Sequence, residues 1–182
     1  MTNALGYTTM DSPIGTLLLA STAEGLCFIE FGGEQEGLPS LQRWCRKNFL
    51  GVHPVRDEVM NQSAKLQLQE YFDGKRRDFD LPLVLHGTPF QKEVWMQLTK
   101  IPYGETRSYK QIALAIGASK AVRAIGGANN RNPIPIVIPC HRVIGSNGAL
   151  VGYGGGLPIK EYLLTLEKVP LLHRDSSSQV IR

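Results

Sequence analysis

The sequence predicts an α/β N-terminal domain joined to a mostly α C-terminal domain that carries a helix-turn-helix. Three observations predict it. The first third is built of short strand-forming runs, the second half opens twice on the same helix-capping pattern, and His86-Gly87 separates the two regimes. The expected division is 1–87, 88–172 and a polar tail over 173–182, since 182 residues allow one ordinary domain or two small ones that share an interface.

Leu5 to Met10, Gly15 to Ser21 and Gly25 to Phe31 read as strands, with Ser12-Pro13-Ile14-Gly15 turning the chain between the first two. Leu41, Trp44, Cys45 and Phe49 recur near helical spacing and predict a short amphipathic helix over Leu41 to Phe49. A second helix is expected over Glu58 to Phe72, ended by Asp73-Gly74, and a further extended stretch over Phe79 to Leu85. Beyond the boundary, Thr88-Pro89-Phe90-Gln91 combines a Thr cap, a first-turn Pro and a Gln three residues after the cap. The helix it starts carries Phe90, Val94, Trp95, Leu98 and Ile101 on one side and stops at Pro102-Tyr103-Gly104. Ser108-Tyr109-Lys110-Gln111 repeats the capping box and opens a helix running to Gly117. Ser119 is then expected to cap a helix over Lys120 to Asn129, which completes a helix-turn-helix. That last helix is small-sided, with Ala121, Ala124, Gly126, Gly127 and Ala128, so its backbone can press close either to a ligand or to the other domain.

Composition narrows the class. Hydrophobic content of 42% with 20% charged residues is that of a soluble globular chain. No apolar run approaches membrane-spanning length, and the first residues lack a secretory leader, so a cytoplasmic protein is expected. Cys27, Cys45 and Cys140 are far apart, which argues against a disulfide framework and a structural zinc site. The net charge of +4 is uneven: 8 Lys and Arg face 11 Asp and Glu up to Gly87, but 12 face 5 from Thr88 onward. The basic half is the one with the helix-turn-helix, as a phosphate-binding face would require.

The chemistry-bearing segment is Asn132-Pro133-Ile134-Pro135-Ile136-Val137-Ile138-Pro139-Cys140-His141-Arg142. Three prolines within seven residues fix the path of the chain up to a thiol. A free cysteine is mostly protonated at neutral pH, so an activated thiolate at Cys140 needs a basic or cationic neighbour, and His141 is the candidate. Adjacent side chains rarely face each other, which leaves open a water relay or a folded turn. Cys27 and Cys45 read as small core residues.

Pro139-Cys140-His141-Arg142, reached through Asn132-Pro133 and followed by Gly148, Tyr153, Gly155-Gly156, Lys160-Glu161 and Glu167, closely resembles the O6-alkylguanine-DNA alkyltransferases, the methylated-DNA–protein-cysteine methyltransferase family. The likeness spans Thr88 to Glu167; the N-terminal half matches loosely, as the small ribonuclease-H-like domain that precedes the active domain in this family. The resemblance implies direct-reversal DNA repair, in which Cys140 takes an alkyl group from O6-alkylguanine, and from O4-alkylthymine, without a cofactor; the N-terminal cysteine-histidine zinc arrangement that some members carry is missing from this sequence, so no metal is expected. It implies that Glu167 supports His141, that His141 draws the Cys140 proton through a water, and that Tyr109 donates toward the departing base. Arg123 would replace the flipped base as the small-sided helix enters the minor groove. Asn132 would brace the turns before the cysteine; Ser146, Tyr153 and Gly154 would line the base pocket. Lys160 would stand beside the pocket, and Lys110 and Gln91 would support phosphate contacts. The implied partner is double-stranded DNA bound by a monomer, with no membrane.

Gly154 departs from members with Ser there, so backbone N–H groups would serve the guanine oxygen. A thioether has no good leaving group and no second cysteine is close in sequence, so each molecule should act once. A damage-binding module that flips alkylguanine without reacting is the alternative, and Cys140 argues against it. A helix-turn-helix transcription factor would need polar, base-reading side chains in the second helix. A cysteine hydrolase would need an oxyanion hole and a turnover route.

Overall fold

The computed structural model describes residues 4–172; the expected polar tail at 173–182 and the three N-terminal residues lie outside the described residues. The N-terminal half is a four-stranded sheet with helices, and the C-terminal half is mostly helical, as expected. Strands β1 (Leu5–Met10), β2 (Leu17–Thr22) and β3 (Gly25–Phe31) form an antiparallel meander. The two-residue β4 (Val55–Arg56) joins β1 in parallel, giving the order β3-β2-β1-β4. β4 is too short and too exposed to leave a pattern in the sequence; it exists because β1 offers it a free edge.

β2 explains how the halves join. Its run Leu17-Leu18-Leu19-Ala20 is buried throughout, and the two-residue strand period sorts it to opposite faces. Leu18 and Ala20 pack with Leu5, Cys27, Leu41 and Cys45 against α1 (Glu34–Asn48). Leu17 and Leu19 enter a second core that runs through Leu68 and Tyr71 of α2 (Gln62–Phe72) to Trp95, Ile125, Cys140 and Leu163 of the C-terminal half. The sheet is therefore closed on one face by α1 and on the other by a core that α2 shares with the C-terminal half.

Three predicted boundaries move. α1 begins at Glu34, two turns before Leu41, straight through Gly37 and Pro39. Both residues read as breakers, but Gly37 is needed because a Cβ there would lie 3.0 Å from the Leu18 Cβ, and Pro39 costs the helix one backbone bond that tertiary packing outweighs. α2 begins at Gln62 and not Glu58, because the Asn61 side chain donates to the carbonyls of Gly6 and Asp57 and holds residues 58–61 in a turn. The stretch Phe79 to Leu85 does not form a regular strand; it touches the sheet at one bridge, Leu26 to Leu83.

The C-terminal half contains α3 (Pro89–Leu98), β5 (Arg107–Ser108), α4 (Tyr109–Ala115), α5 (Val122–Asn130), a 3-10 turn (Cys140–Arg142), β6 (Val143–Ile144) and α6 (Leu157–Leu166). Both capping boxes form: Thr88 and Gln91 exchange bonds of 3.0 and 3.1 Å, Ser108 and Gln111 of 2.8 and 3.0 Å. The third expected cap does not. α5 starts at Val122 behind Ala121, and no side chain caps it, so Ser119 lies in the preceding turn. Gly117, with φ +71°, makes the tight turn between α4 and α5. Among the described residues no helix is long and apolar enough to cross a membrane.

Candidate active site

The path to Cys140 is locked from both ends. Asn132 donates from Nδ2 to the Ile138 carbonyl at 2.8 Å and accepts the Ile134 N–H at 2.9 Å, so one side chain closes the segment into a loop. Ile134, Ile136 and Ile138 are fully buried, and the Pro133 carbonyl accepts the Ile29 N–H of β3 at 2.8 Å. Ile136 has φ +75°, a costly conformation for a β-branched residue, which persists because its neighbours are over-determined in this way. On the other side, Asn129 of α5 reaches the Cys140 carbonyl, and Trp95 donates to the Ala128 carbonyl at 2.8 Å, tying α3, α5 and the cysteine turn together.

Glu167 is the C-cap of α6. The chain leaves that helix in a Schellman arrangement, with Lys168 at φ +61° and the Lys168 and Val169 N–H groups bonded to Thr165 and Leu164. Its buried carboxylate accepts four hydrogen bonds. His141 Nε2 at 2.5 Å and the Tyr71 hydroxyl at 2.6 Å address Oε2; Arg142 Nε at 2.7 Å and the Gly104 N–H at 3.3 Å address Oε1. Burial alone would raise its pKa, but the hydrogen bonds and positive charge from His141 and Arg142 hold it at about 2.

These facts fix the histidine tautomer. Burial pushes the His141 pKa down, against the pull of Glu167, so the ring is neutral at neutral pH. An ionised carboxylate can only accept, so Nε2 carries the proton and Nδ1 offers a lone pair. Nδ1 is buried and has no hydrogen-bond partner among the described residues. No hydrogen bond joins it to the Cys140 sulfur. Cys140 is only 4% exposed, and burial pushes its pKa up to about 11, although Asn132, Lys160 and nearby backbone amides pull the other way. Raised in this way, the resting group is a thiol, and its proton must leave as the reaction proceeds, which is the task the resemblance gives to His141.

The thiol opens on a cavity of about 290 Å³. Tyr153, Gly154 and the segment 129–133 line it on the C-terminal side, and Phe28 to Phe31 of β3 form the opposite wall. Phe31 packs edge-on against Tyr153 at 5.8 Å and fills the space a side chain on Gly155 would need. The Tyr153 hydroxyl is buried without a hydrogen-bond partner among the described residues, and burial, with Cys140 nearby, pushes its pKa well up. Tyr109, half-buried at the start of α4, is kept protonated by burial, and its hydroxyl donates to the Val151 carbonyl at 3.0 Å.

The remaining candidates separate. Lys160 is fully buried and donates to the carbonyls of Val143, Val151 and Gly152 at 2.6, 3.2 and 3.3 Å, so it staples the loop before Tyr153 to β6. Ser146 is exposed on a turn and is not among the cavity residues, contrary to the expectation that it lines the pocket, because the chain reverses at Gly145 to Ala149 before it reaches the cavity. Gln91 has its Oε1 committed to the Thr88 cap, and Lys110 and Arg123 are exposed on α4 and α5 and do not line the cavity. The face of α5 around Arg123 is open: a Cβ on Gly126 would meet nothing within 4 Å. Close packing is therefore not the reason for a glycine at 126, whereas Ala128 is small and buried in the core. Sequence reasoning missed Asn129, Arg142 as a carboxylate partner, and Tyr71; Arg142 stands inside the quoted motif, whereas Tyr71 lies 96 residues from Glu167 and left no signal. No cluster of His, Cys, Asp or Glu among the described residues is arranged to hold a metal.

Comparison with known proteins accounts for both halves. Residues 5–85 match the family model described as 6-O-methylguanine DNA methyltransferase, ribonuclease-like domain, and residues 89–169 match its DNA binding domain. A methylated-DNA–protein-cysteine methyltransferase of Methanosarcina barkeri is 48% identical over 89% of this chain and 96% of its own length. The constitutive enzyme of that name from Bacillus subtilis is 46% identical over 90% of this chain and 95% of its own. The crystal structure of Mycobacterium tuberculosis OGT in complex with DNA superposes with a TM-score of 0.77 at 45% identity, covering 91% of this chain and 95% of that one. With both halves matched and nearly the full length of these relatives covered, the chain belongs to the methylated-DNA–protein-cysteine methyltransferase family.

Proposed function

We propose that this chain repairs DNA by direct reversal, moving the alkyl group of O6-alkylguanine, and of O4-alkylthymine, irreversibly onto Cys140. The observation that carries the reading is the pairing of a buried neutral thiol, at the wall of an open cavity, with a neutral imidazole whose only free nitrogen is Nδ1. A water links the Cys140 thiol to His141 Nδ1 and passes the proton, and Glu167 stabilises the resulting imidazolium. The sulfur attacks the alkyl carbon; the new S–C bond forms as the C–O6 bond breaks, and its electron pair stays on the base. The base takes up one proton at a ring nitrogen, which balances the proton lost from sulfur. Tyr109 supplies a hydrogen bond to the leaving base, which suits a phenol that burial keeps protonated.

Alkylated guanine must leave the stack to reach this cavity, at a cost of a few kcal/mol. Duplex DNA lies along the open face of α5 with its minor groove, and Arg123 enters the stack in place of the extruded base. Lys110 and the free Gln91 amide serve phosphates, Asn132 and Lys160 hold the cavity walls, and Tyr153 with Gly154 receives the base. The chain works as a monomer and without a cofactor, once per molecule. Cys27 and Cys45 cannot resolve the thioether, since both are buried in the other core and burial pushes their pKa up to about 12 and about 11.

The test is intact-mass measurement after incubation with duplex DNA carrying O6-methylguanine. One added methyl group, confined to the Cys140 peptide and absent from Cys140→Ser, is expected; tight binding with unchanged mass would support the damage-binding reading instead. Arg123→Ala should slow repair of duplex DNA more than reaction with the free alkylated base, and equal losses on both would remove its role in the stack.

A further inference from the structure

Among the described residues, the hydroxyl of Tyr71 is the one contribution to the Glu167 carboxylate that comes from the N-terminal half. It is presented by α2 and meets Oε2, the same oxygen that His141 addresses. Tyr71 is fully buried, and its ring is wedged among Phe72, Phe79 and Tyr103 with centroids 5.5 to 6.2 Å away. A ring held so closely cannot withdraw its hydroxyl, and burial beside Glu167 pushes its pKa far above the usual tyrosine range, so it is always a donor. Without it, Oε2 would keep a single partner, and the carboxylate could pivot about its bonds from Arg142 and Gly104.

We propose that Tyr71 is a positioning residue for the transfer reaction: its hydroxyl holds the Glu167 carboxylate in the plane that keeps the proton of His141 on Nε2 and the lone pair on Nδ1. The proposal rests on the alkyl-transfer reading above and gives the N-terminal half a direct part in it. The groups that face this centre are Cys140 and Arg142 on the 3-10 turn, Tyr103 before β5 with Arg77 stacked on its ring, Tyr153 in the cavity loop, and Lys160 on α6. None of them shares Oε2, so the effect of removing the hydroxyl reads out on the His141–Glu167 pair. The sign follows from charge. A hydrogen bond on Oε2 disperses the carboxylate's negative charge; losing it leaves more charge facing Nε2, favours the imidazolium, and raises the pH at which His141 becomes a base.

The experiment measures the second-order rate of methyl transfer from O6-methylguanine duplex DNA against pH. For Tyr71→Phe the acid limb should rise by about one pH unit, as loss of one charge-assisted bond implies, with transfer several-fold slower on the plateau. Tyrosine carrying ring fluorines at position 71, a stronger donor of nearly the same shape, should lower the limb. Phe72→Leu, which loosens the packing of the same ring, should lower the melting temperature and leave the limb in place. A limb unmoved in folded Tyr71→Phe overturns the proposal, and so does an equal displacement in Phe72→Leu. If the unsubstituted chain takes up no methyl group at all, the functional reading itself fails and the proposal with it.

Discussion

Replacing Lys160 by Met removes a buried ammonium while keeping the length of the side chain. In the folded protein burial lowers the lysine pKa from 10.5 to about 8, with the Cys140 sulfur pulling weakly the other way. Between those values the unfolded chain holds more protons than the folded one, so folding stability contributed by this group rises with pH; below about 8 both states are charged and the penalty is complete. The lowering from 10.5 to about 8 corresponds to about 3 kcal/mol. Urea unfolding of Cys140→Ser and Cys140→Ser/Lys160→Met, repeated from pH 7 to 10.5, isolates that quantity, because the coupled thiol is gone and the opposing titrations of Cys27 and Cys45 are common to both proteins. The stability of the lysine protein relative to the methionine protein should climb by about 3 kcal/mol across this range. A difference that stays level would refute the burial of a charged Lys160 and with it the staple on Val143, Val151 and Gly152.

Glu167 behaves in the opposite sense. Its pKa is lowered from 4.5 to about 2, so its stabilising contribution is complete above 4.5 and is lost as pH falls through 2. Glu167→Gln should be less stable near neutrality and lose less stability than the unsubstituted chain between pH 4.5 and 2; parallel acid-unfolding curves would contradict this. Gly126→Ala places a methyl group in open space on α5 and should raise stability by about 1 kcal/mol through helix propensity. Gly126→Leu should remain folded but bind duplex DNA about tenfold more weakly, as a bulky group on a face pressed to the groove requires; unchanged affinity would move DNA off this face.

What the sequence alone determined was what is local or patterned. The Thr88 and Ser108 capping boxes form because each needs only residues three apart, and the three antiparallel strands follow from short apolar runs between turns. The motif around Cys140 identified the family because its residue types and spacing are unusual together. Tertiary structure decided the rest, because it depends on what surrounds a side chain. α1 runs through Gly37, where a Cβ would crowd Leu18 at 3.0 Å, and through Pro39, and Ser119 misses its cap because α5 starts later. Lys160 could as well have been a solvated helix residue; only the fold encloses it between three carbonyls. Burial likewise makes Cys140 a resting thiol and His141 a neutral base, and it brings Tyr71 to Glu167 across 96 residues of chain. Protonation state and long-range contact are set by desolvation and proximity, and neither is written in the order of residues around the site.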